Sequence, residues 1–515
     1  MTTMIRRLRH VLLWCLSAAA VLAGGDGRAR VFEAARLAPA DVDALIAVQD
    51  AAAIRRGEMG PAATAMIERA LGEGDTARAW SALAARLGWS REEAFDRLLG
   101  SRVALIVRGT AGDAPAWALV SEVSLDTEKR LRERLDVAPR AIVAGHTVLS
   151  VERGAYELSA ERRARHATLI LAPAARNALF DELVPLLAKG PAQALLNAPE
   201  FAEIAALGGG DILVFARSPE GGGAWAGAVA RREGMRLVTN LVAAPRDTDQ
   251  EIGAIEPWDA SAAQAAGRNA LFWTIERSLP AAFGASGLST VVSGLPVLRL
   301  RERAADTLGD YLGLWVAPSA EGLPGVAAAL EIQDLHDAPA RADGLMSELL
   351  STVGLDGLDF AGVEPRATRT VDLNASAVIR DSGLWEEGPV ARWRFAKTGE
   401  GAPAKGWWIM ALGAEAFDLA ERSLGAPDIA PPGARRAWVG VGGARPAEAL
   451  GALKRAGIDA GGPLLAASLV REVRWSIEVV PGLDKRPRLR GWMEASIDDP
   501  HGAPGPGERE RGVKD

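Results

Sequence analysis

Cysteine is nearly missing from this chain. The single Cys15 lies inside an apolar N-terminal stretch, and beyond it there is no thiol for nucleophilic catalysis, a thiolate metal site or a disulfide. A chain of 515 residues can rely on its core instead, so the lack of disulfides is compatible with export. Histidine is almost as scarce, with five in all. Past the N-terminal stretch only His146, His166, His336 and His501 remain, each isolated in sequence. A catalytic base would therefore have to be brought to its partners by the fold. The chain contains neither Ser-x-x-Lys nor His-Glu-x-x-His. It also lacks a basic surplus: the formal net charge is −7, which argues against nucleic acid as a partner, because neutralising phosphates takes clustered Lys and Arg.

What is present begins with residues 1–23. Arg6, Arg7 and Arg9 form a basic start, Val11 to Leu22 an apolar centre, and Val21-Leu22-Ala23 a small-residue cleavage context before Gly24. This reads as a secretory signal peptide. Cleavage after Ala23 would remove three arginines and no acid, making the mature chain still more acidic. The alternative is an uncleaved inner-membrane anchor, although the apolar stretch falls short of the about 20 residues that span a bilayer comfortably. Leu12-Leu13-Trp14 is a poor context for lipid attachment at Cys15.

Hydrophobic residues at 49% and charged residues at 24% describe an ordinary globular protein. At ~150 residues per domain, the length predicts two or three domains. The chain is organised around Gly100 to Leu135. Val103-Ala104-Leu105-Ile106-Val107 is a wholly apolar run, Gly109, Gly112 and Pro115 break it, and Ala116 to Val120 resumes. This predicts an antiparallel hairpin, followed by a helix capped by Asp126 with Leu131 and Leu135 on one face. Gly309 to Leu350 repeats the order: Tyr311 to Val316, a Pro/Gly turn, Val326 to Ile332, then a helix opening at Pro339 and carrying Leu345, Leu349 and Val353.

Around these hairpins the pattern predicts a strand at Ala44 to Val48 and helices from Asp50 to Leu99, with Ser90 and Glu93 at capping-box spacing. Strands follow within 141–151, 156–158 and 168–171, then a helix over 174–187, then strands at 212–215, 225–229 and 235–242. The second half supplies strands at 269–275, 370–375, 391–395 and 407–410, a helix with Phe417 and Leu424, and a final hairpin with Val473, Trp475, Ile477 and Val479 on one face. Strands at hairpin distances mixed with helices predict an α+β fold of two related halves, each an antiparallel sheet packed against helices. The expected domains are 24–248 and 262–497, with 498–515 a disordered tail.

Short motifs offer little chemistry. Trp438-Val439-Gly440-Val441-Gly442-Gly443 before Pro446 has the outline of a dinucleotide turn, but the third glycine of that fingerprint falls at Arg445. A tight strand-to-helix turn explains the run instead. Gly284-Ala285-Ser286-Gly287 is followed by Leu288 where a nucleophile elbow needs glycine. Asp247-Thr248-Asp249 lacks the glycine of a calcium loop, and Glu386-Glu387 reads as a solvated turn. Asn374-Ala375-Ser376 fits a glycosylation sequon placed inside an expected strand. Of the 15 tryptophans, Trp117, Trp315, Trp393 and Trp475 fall on strands, where core packing accounts for them; the remaining possibility is a ligand groove. No catalytic, cofactor-binding or metal residue emerges, and no cofactor is expected.

Leu37-Ala38-Pro39-Ala40-Asp41, Leu87-Gly88-Trp89-Ser90 and Leu99-Gly100-Ser101-Arg102-Val103-Ala104-Leu105 resemble the opening of an exported bacterial family catalogued only as a domain of unknown function. The resemblance covers roughly residues 37–245. It implies export and a bacterial origin, and carries no site residues. The expectation is thus a non-enzymatic binding or scaffolding protein of the periplasm or cell surface, with an unidentified protein or apolar small molecule as partner. The alternative is a periplasmic hydrolase whose site is assembled from distant residues between the halves, using His146, His166 or His336.

Overall fold

The computed structural model describes residues 35–57, 60, 75–109, 115–143, 145–152, 154–174, 177–189, 194–217, 224–244, 269–277, 308–319, 323–332, 338–352, 354–358, 360, 363–364, 367–381, 390–397, 406–424, 438–455, 457 and 467–497. The expected signal peptide, the C-terminal tail and the stretch between the two expected domains lie outside these residues. The chain divides into two compact units. The first holds Met1–Asp247, Gly461–Leu469 and Val480–Asp515, and the second Thr248–Ala460 and Val470–Val479.

The first unit is built on an antiparallel sheet whose centre is β1 (Ala44–Val48). β1 lies between β2 (Val103–Arg108) and β8 (Ile212–Arg217), with Val48 opposite both Val103 and Ile212. A strand buried on both faces needs no polar alternation, which is why β1 and β2 read as unbroken apolar runs. Outward from β2 come β3 (Ala116–Ser124), β7 (His166–Pro173), β6 (Tyr156–Arg162), β5 (His146–Val151) and β4 (Val137–Val143). Outward from β8 come β9 (Trp225–Glu233), β10 (Arg236–Ala244) and β19 (Pro487–Ile497). β19 thus joins a sheet whose other strands all precede residue 248. β4 is exposed along its middle, with Ile142 at 76%, and its register against β5 shifts between Pro139 and Ala141.

Helices cover both faces of this sheet. Leu179, Phe180, Leu183 and Val184 of α5 (Asn177–Lys189) and Phe201 and Ile204 of α6 (Pro199–Ala205) form one core with Leu45, Ile106, Val120 and Phe215. Across the sheet, Leu87 of α2 (Asp75–Leu87), Ala94 of α3 (Arg91–Leu98) and Leu131 of α4 (Leu125–Arg134) pack on Val123, Leu149, Leu158 and Leu169. Each such leucine or phenylalanine contributes about 1.5–3 kcal/mol by leaving water. α1 (Ala51–Arg56) follows β1 directly, and Asp50, at φ 52°, accepts a hydrogen bond from Ala53 N at 2.9 Å. Ser90 caps α3 as expected, accepting from Glu93 N at 3.0 Å, while the Glu93 carboxylate accepts from Arg97. The cap of α4 is not Asp126 but Ser124, which accepts from Thr127 N at 3.1 Å. The helix starts two residues earlier than expected because the serine already offers an acceptor at the strand's end.

The second unit holds a second run of antiparallel strands. Its order is β14 (Arg369–Asp372), β15 (Val390–Lys397), β16 (Gly406–Leu412), β13 (Gly325–Ile332), β12 (Leu308–Ala317), β11 (Phe272–Arg277), β17 (Trp438–Ala444) and β18 (Val470–Pro481). Phe417, Leu419 and Ala420 of α9 (Ala414–Leu424) pack on Trp273, Trp315, Trp407 and Ile409. On the opposite face Ala342, Met346 and Leu350 of α7 (Ala338–Thr352) pack on Leu330, Trp393, Trp408 and Met410. The expected contacts of Leu345, Leu349 and Val353 lie outside the described side chains.

The expected strand at 370–375 is shorter. After Asp372 the chain turns into a 3-10 segment, Leu373–Ala375, whose Asn374 N is held by the Asp372 carboxylate at 2.9 Å, and then into the short α8 (Ala377–Asp381). Arg392 and Arg394 of β15 meet Asp418 and Glu421 of α9. The glycines at 440–443 are not a turn but part of β17. A Cβ on Gly442 would stand 2.2 Å from the Trp475 ring, and one on Gly443 would stand 2.6 Å from Trp273 Nε1. These positions are glycine because indoles lie where side chains would be. Helix α10 (Pro446–Arg455) begins only after that strand.

Every strand pairing described above is antiparallel, so the α+β class with helix-covered antiparallel sheets holds.

Candidate functional site

The α5 face of the first sheet is apolar over most of its width and turns polar toward one end. Ala47, Ala104, Val120 and Ile170 belong to its core. Two residues further along their strands, the same face presents Gln49, Arg102, Glu122 and Thr168. The ladder continues through this row, with Glu122 N donating to Arg102 O and Gln49 N to Asp211 O, both at 2.8 Å. Glu122 and Glu161 stand opposite the same Thr168 from its two neighbouring strands.

Side chains join the row into a network. Arg102 Nε donates to Gln49 Oε1 at 3.2 Å, and Arg102 Nη1 lies 3.5 Å from Glu122 Oε2. His166 Nε2 lies 3.9 Å from that same carboxylate oxygen, and Ser124 sits directly across the ladder from His166. Serine, histidine and carboxylate therefore meet at one rim of the sheet. They do not form a charge-relay set. Nucleophile, base and orienting group need contacts of about 2.6–3.2 Å, and the His166–Glu122 separation exceeds that. The Ser124 hydroxyl is held by Thr127 N at 3.1 Å and lies 2.9 Å from Thr127 Oγ1, as a helix cap requires. What the rim offers is a half-buried, mixed-charge row able to hydrogen-bond a polar group.

The other histidines do not join it by any contact described. His146 opens β5 opposite Val143. His336 and His501 lie outside the described residues, as do Gly284 to Leu288, Asp247 to Asp249, and Glu386 with Glu387. Trp117, Trp315 and Trp393 are buried, and Trp475 is half-buried against Phe272 at 5.8 Å. Asn374 is exposed, but the Ser376 of its sequon is fully buried. Among the described residues no group of three or more His, Cys, Asp or Glu is placed to hold a metal ion. No described helix is long and apolar enough to cross a membrane.

Three buried charge clusters serve packing. Glu128, buried in the first turn of α4, accepts from Arg132 on its own helix and from Arg162 Nη2 of β6 at 2.7 Å. Arg488 of β19 is 7% exposed and donates to Glu203 of α6 and to Asp484, both at 2.9 Å. In the second unit, Asp343 of α7 accepts from Arg369 Nη2 at 2.8 Å and from Trp393 Nε1 at 2.9 Å. At the β5–β6 turn, burial pushes the Tyr156 hydroxyl above its ordinary range, helped by the nearby Glu152 carboxylate. Glu152, at φ 55°, is fixed there by Arg86 Nη1 at 2.5 Å.

None of these clusters carried a sequence signal. Glu122 and Arg102 could have been suspected only because each places charge on the parity of an otherwise core-facing row. A scan against protein-family models gives no match, and searches of curated proteins and of solved structures give none either.

Proposed function

We propose that this protein is an exported bacterial component that binds or scaffolds in the periplasm or at the cell surface, built from two related halves and performing no chemistry of its own. The observation that carries the reading is Ser124. It is the serine that faces His166 beside Glu122, and its hydroxyl is committed to capping α4. Its partner is a protein or an apolar small molecule.

Support for related halves comes from strand succession. The first unit runs β6-β7-β3-β2-β1-β8-β9 and the second β15-β16-β13-β12-β11-β17-β18, the same wiring in the same chain order. A helix follows the third strand of each, α4 and α7, and another follows β7 and β16, α5 and α9. Export is supported by the basic start and apolar centre of residues 1–23 and by the resemblance of 37–245 to an exported family.

The test is expression of the full chain in a bacterial host, with intact-mass measurement of the N-terminus, cell fractionation and fluorophosphonate labelling. The expected result is a chain beginning at Gly24 outside the cytoplasm and unlabelled. A chain retained in the cytosol overturns export. Labelling at Ser124 that disappears in Ser124→Ala overturns the non-enzymatic reading in favour of a hydrolase site within the first unit, distinct from the expected one between the halves, with His166 as base and Glu122 orienting it.

A further inference from the structure

The turn between β18 and β19 combines exposure with unusual restraint. Leu483 is 69% exposed, and Asp484, Lys485 and Arg486 beside it are exposed as well. A turn that only joined two strands could be short and loosely held. This one carries three internal hydrogen bonds. Gly482 N donates to Arg486 O at 2.7 Å, Lys485 N to Gly482 O at 3.0 Å, and Arg486 N to Asp484 Oδ1 at 3.0 Å. Pro481 and Pro487 flank it, and Lys485 is held at φ 65°, a left-handed conformation that costs energy for a residue with a Cβ. Beneath it Arg488 bonds Asp484 and reaches the buried Glu203, with its guanidinium 5.9 Å from the Trp225 ring. A buried ion pair is a poor device for stability alone and a good one for fixing a geometry.

What is fixed is an exposed leucine followed by two cations, with the intervening Asp484 bonded by Arg488 and lying 3.8 Å from Arg486 Nε in an exposed pair that lipid phosphate would have to replace. We propose that this turn docks on an anionic lipid surface, Leu483 entering the interface while Lys485 and Arg486 meet lipid phosphates. A five-residue turn is too small for a specific protein interface, which takes about 800 Å² from each partner. A bilayer sets no such minimum, and each Lys or Arg near an anionic leaflet adds about fivefold to binding.

The test uses the full chain purified from the host that exports it, sedimented with vesicles of phosphatidylglycerol and phosphatidylcholine or of phosphatidylcholine alone. The wild type is expected to pellet preferentially with the anionic vesicles, less so as salt is added. Lys485→Glu with Arg486→Glu should lower that binding more than tenfold, and Leu483→Ser by several fold, with unchanged circular dichroism. Arg488→Met keeps all three contact residues and should still weaken binding by releasing the turn. If that variant does not fold, the exposed-residue variants decide the matter alone. A wild type that ignores anionic vesicles, as it would if a protein groove were the true partner, overturns the proposal. So does binding that all variants share, which would place the contact elsewhere. A chain that is exported and yet ignores vesicles sinks this inference without touching the export reading.

Discussion

In the first unit, turns and helices are tied to the sheet through charge: Arg488 and Glu203 link β19 to α6, and Glu128 gathers Arg132 and Arg162 at the head of α4. In the second, Arg392 and Arg394 likewise meet Asp418 and Glu421 of α9, but indoles add a further kind of packing, with Trp475 above Gly442, Trp273 beside Gly443 and Trp315 above Gly313. The second unit buries Trp273, Trp315, Trp393, Trp407 and Trp408, against Trp89, Trp117 and Trp225 in the first. A buried ion pair depends on both partners being present, because one charge left alone cannot be solvated. Ring packing depends on what is missing beneath the ring, namely a Cβ. The two units should therefore break differently.

The largest effect is expected where the second unit departs from its own style. Asp343→Ala strips the buried Arg369 guanidinium of this carboxylate, leaving it the Glu364 and Ala367 carbonyls, and takes the Trp393 N–H acceptor at once, and should cost about 3 kcal/mol in urea unfolding. Glu203→Ala should cost less, about 2 kcal/mol, because Arg488 keeps Asp484. Replacing both partners, as Glu203→Leu with Arg488→Met, should return stability to near the wild-type value, and a double variant weaker than either single one would refute this account of the pair. Gly442→Ala tests the indole mechanism: its methyl collides with Trp475 and the Trp273 carbonyl, costing about 1–2 kcal/mol, whereas a neutral or stabilising result would show the ring free to move.

The smallest effect concerns pH. The folded chain holds the Tyr156 hydroxyl above its unfolded pKa of about 10, so this group's contribution is complete below that value and disappears as pH rises through the folded one. Thermal melts across that range should fall more steeply for the wild type than for Tyr156→Phe, and parallel curves would rule the contribution out.

The hairpin at 103–120 and β1 at Ala44–Val48 were readable in sequence because unbroken apolar runs between glycines and prolines have few other uses. The start of α4 was misread because Ser124 and Asp126 are both good caps, and only the position of the strand end decides between them. The glycines of β17 were misread as a turn for a related reason. Nothing local announces that Trp273 and Trp475 arrive from other strands to cover them. The rim at Arg102, Glu122 and His166 required register across three strands, and the Arg488–Glu203 pair joins residues 285 apart, a separation no pattern of neighbours encodes.

The outermost strand, Val137–Val143, has one more consequence. Pro139 contributes no amide, the slip after it interrupts the row of outward groups, and Arg140 next to it brings charge and reaches back to Glu157. An incoming chain therefore meets a faulty template. The border at which a broad sheet would ordinarily recruit copies of itself is thereby made a poor partner for edge-to-edge addition.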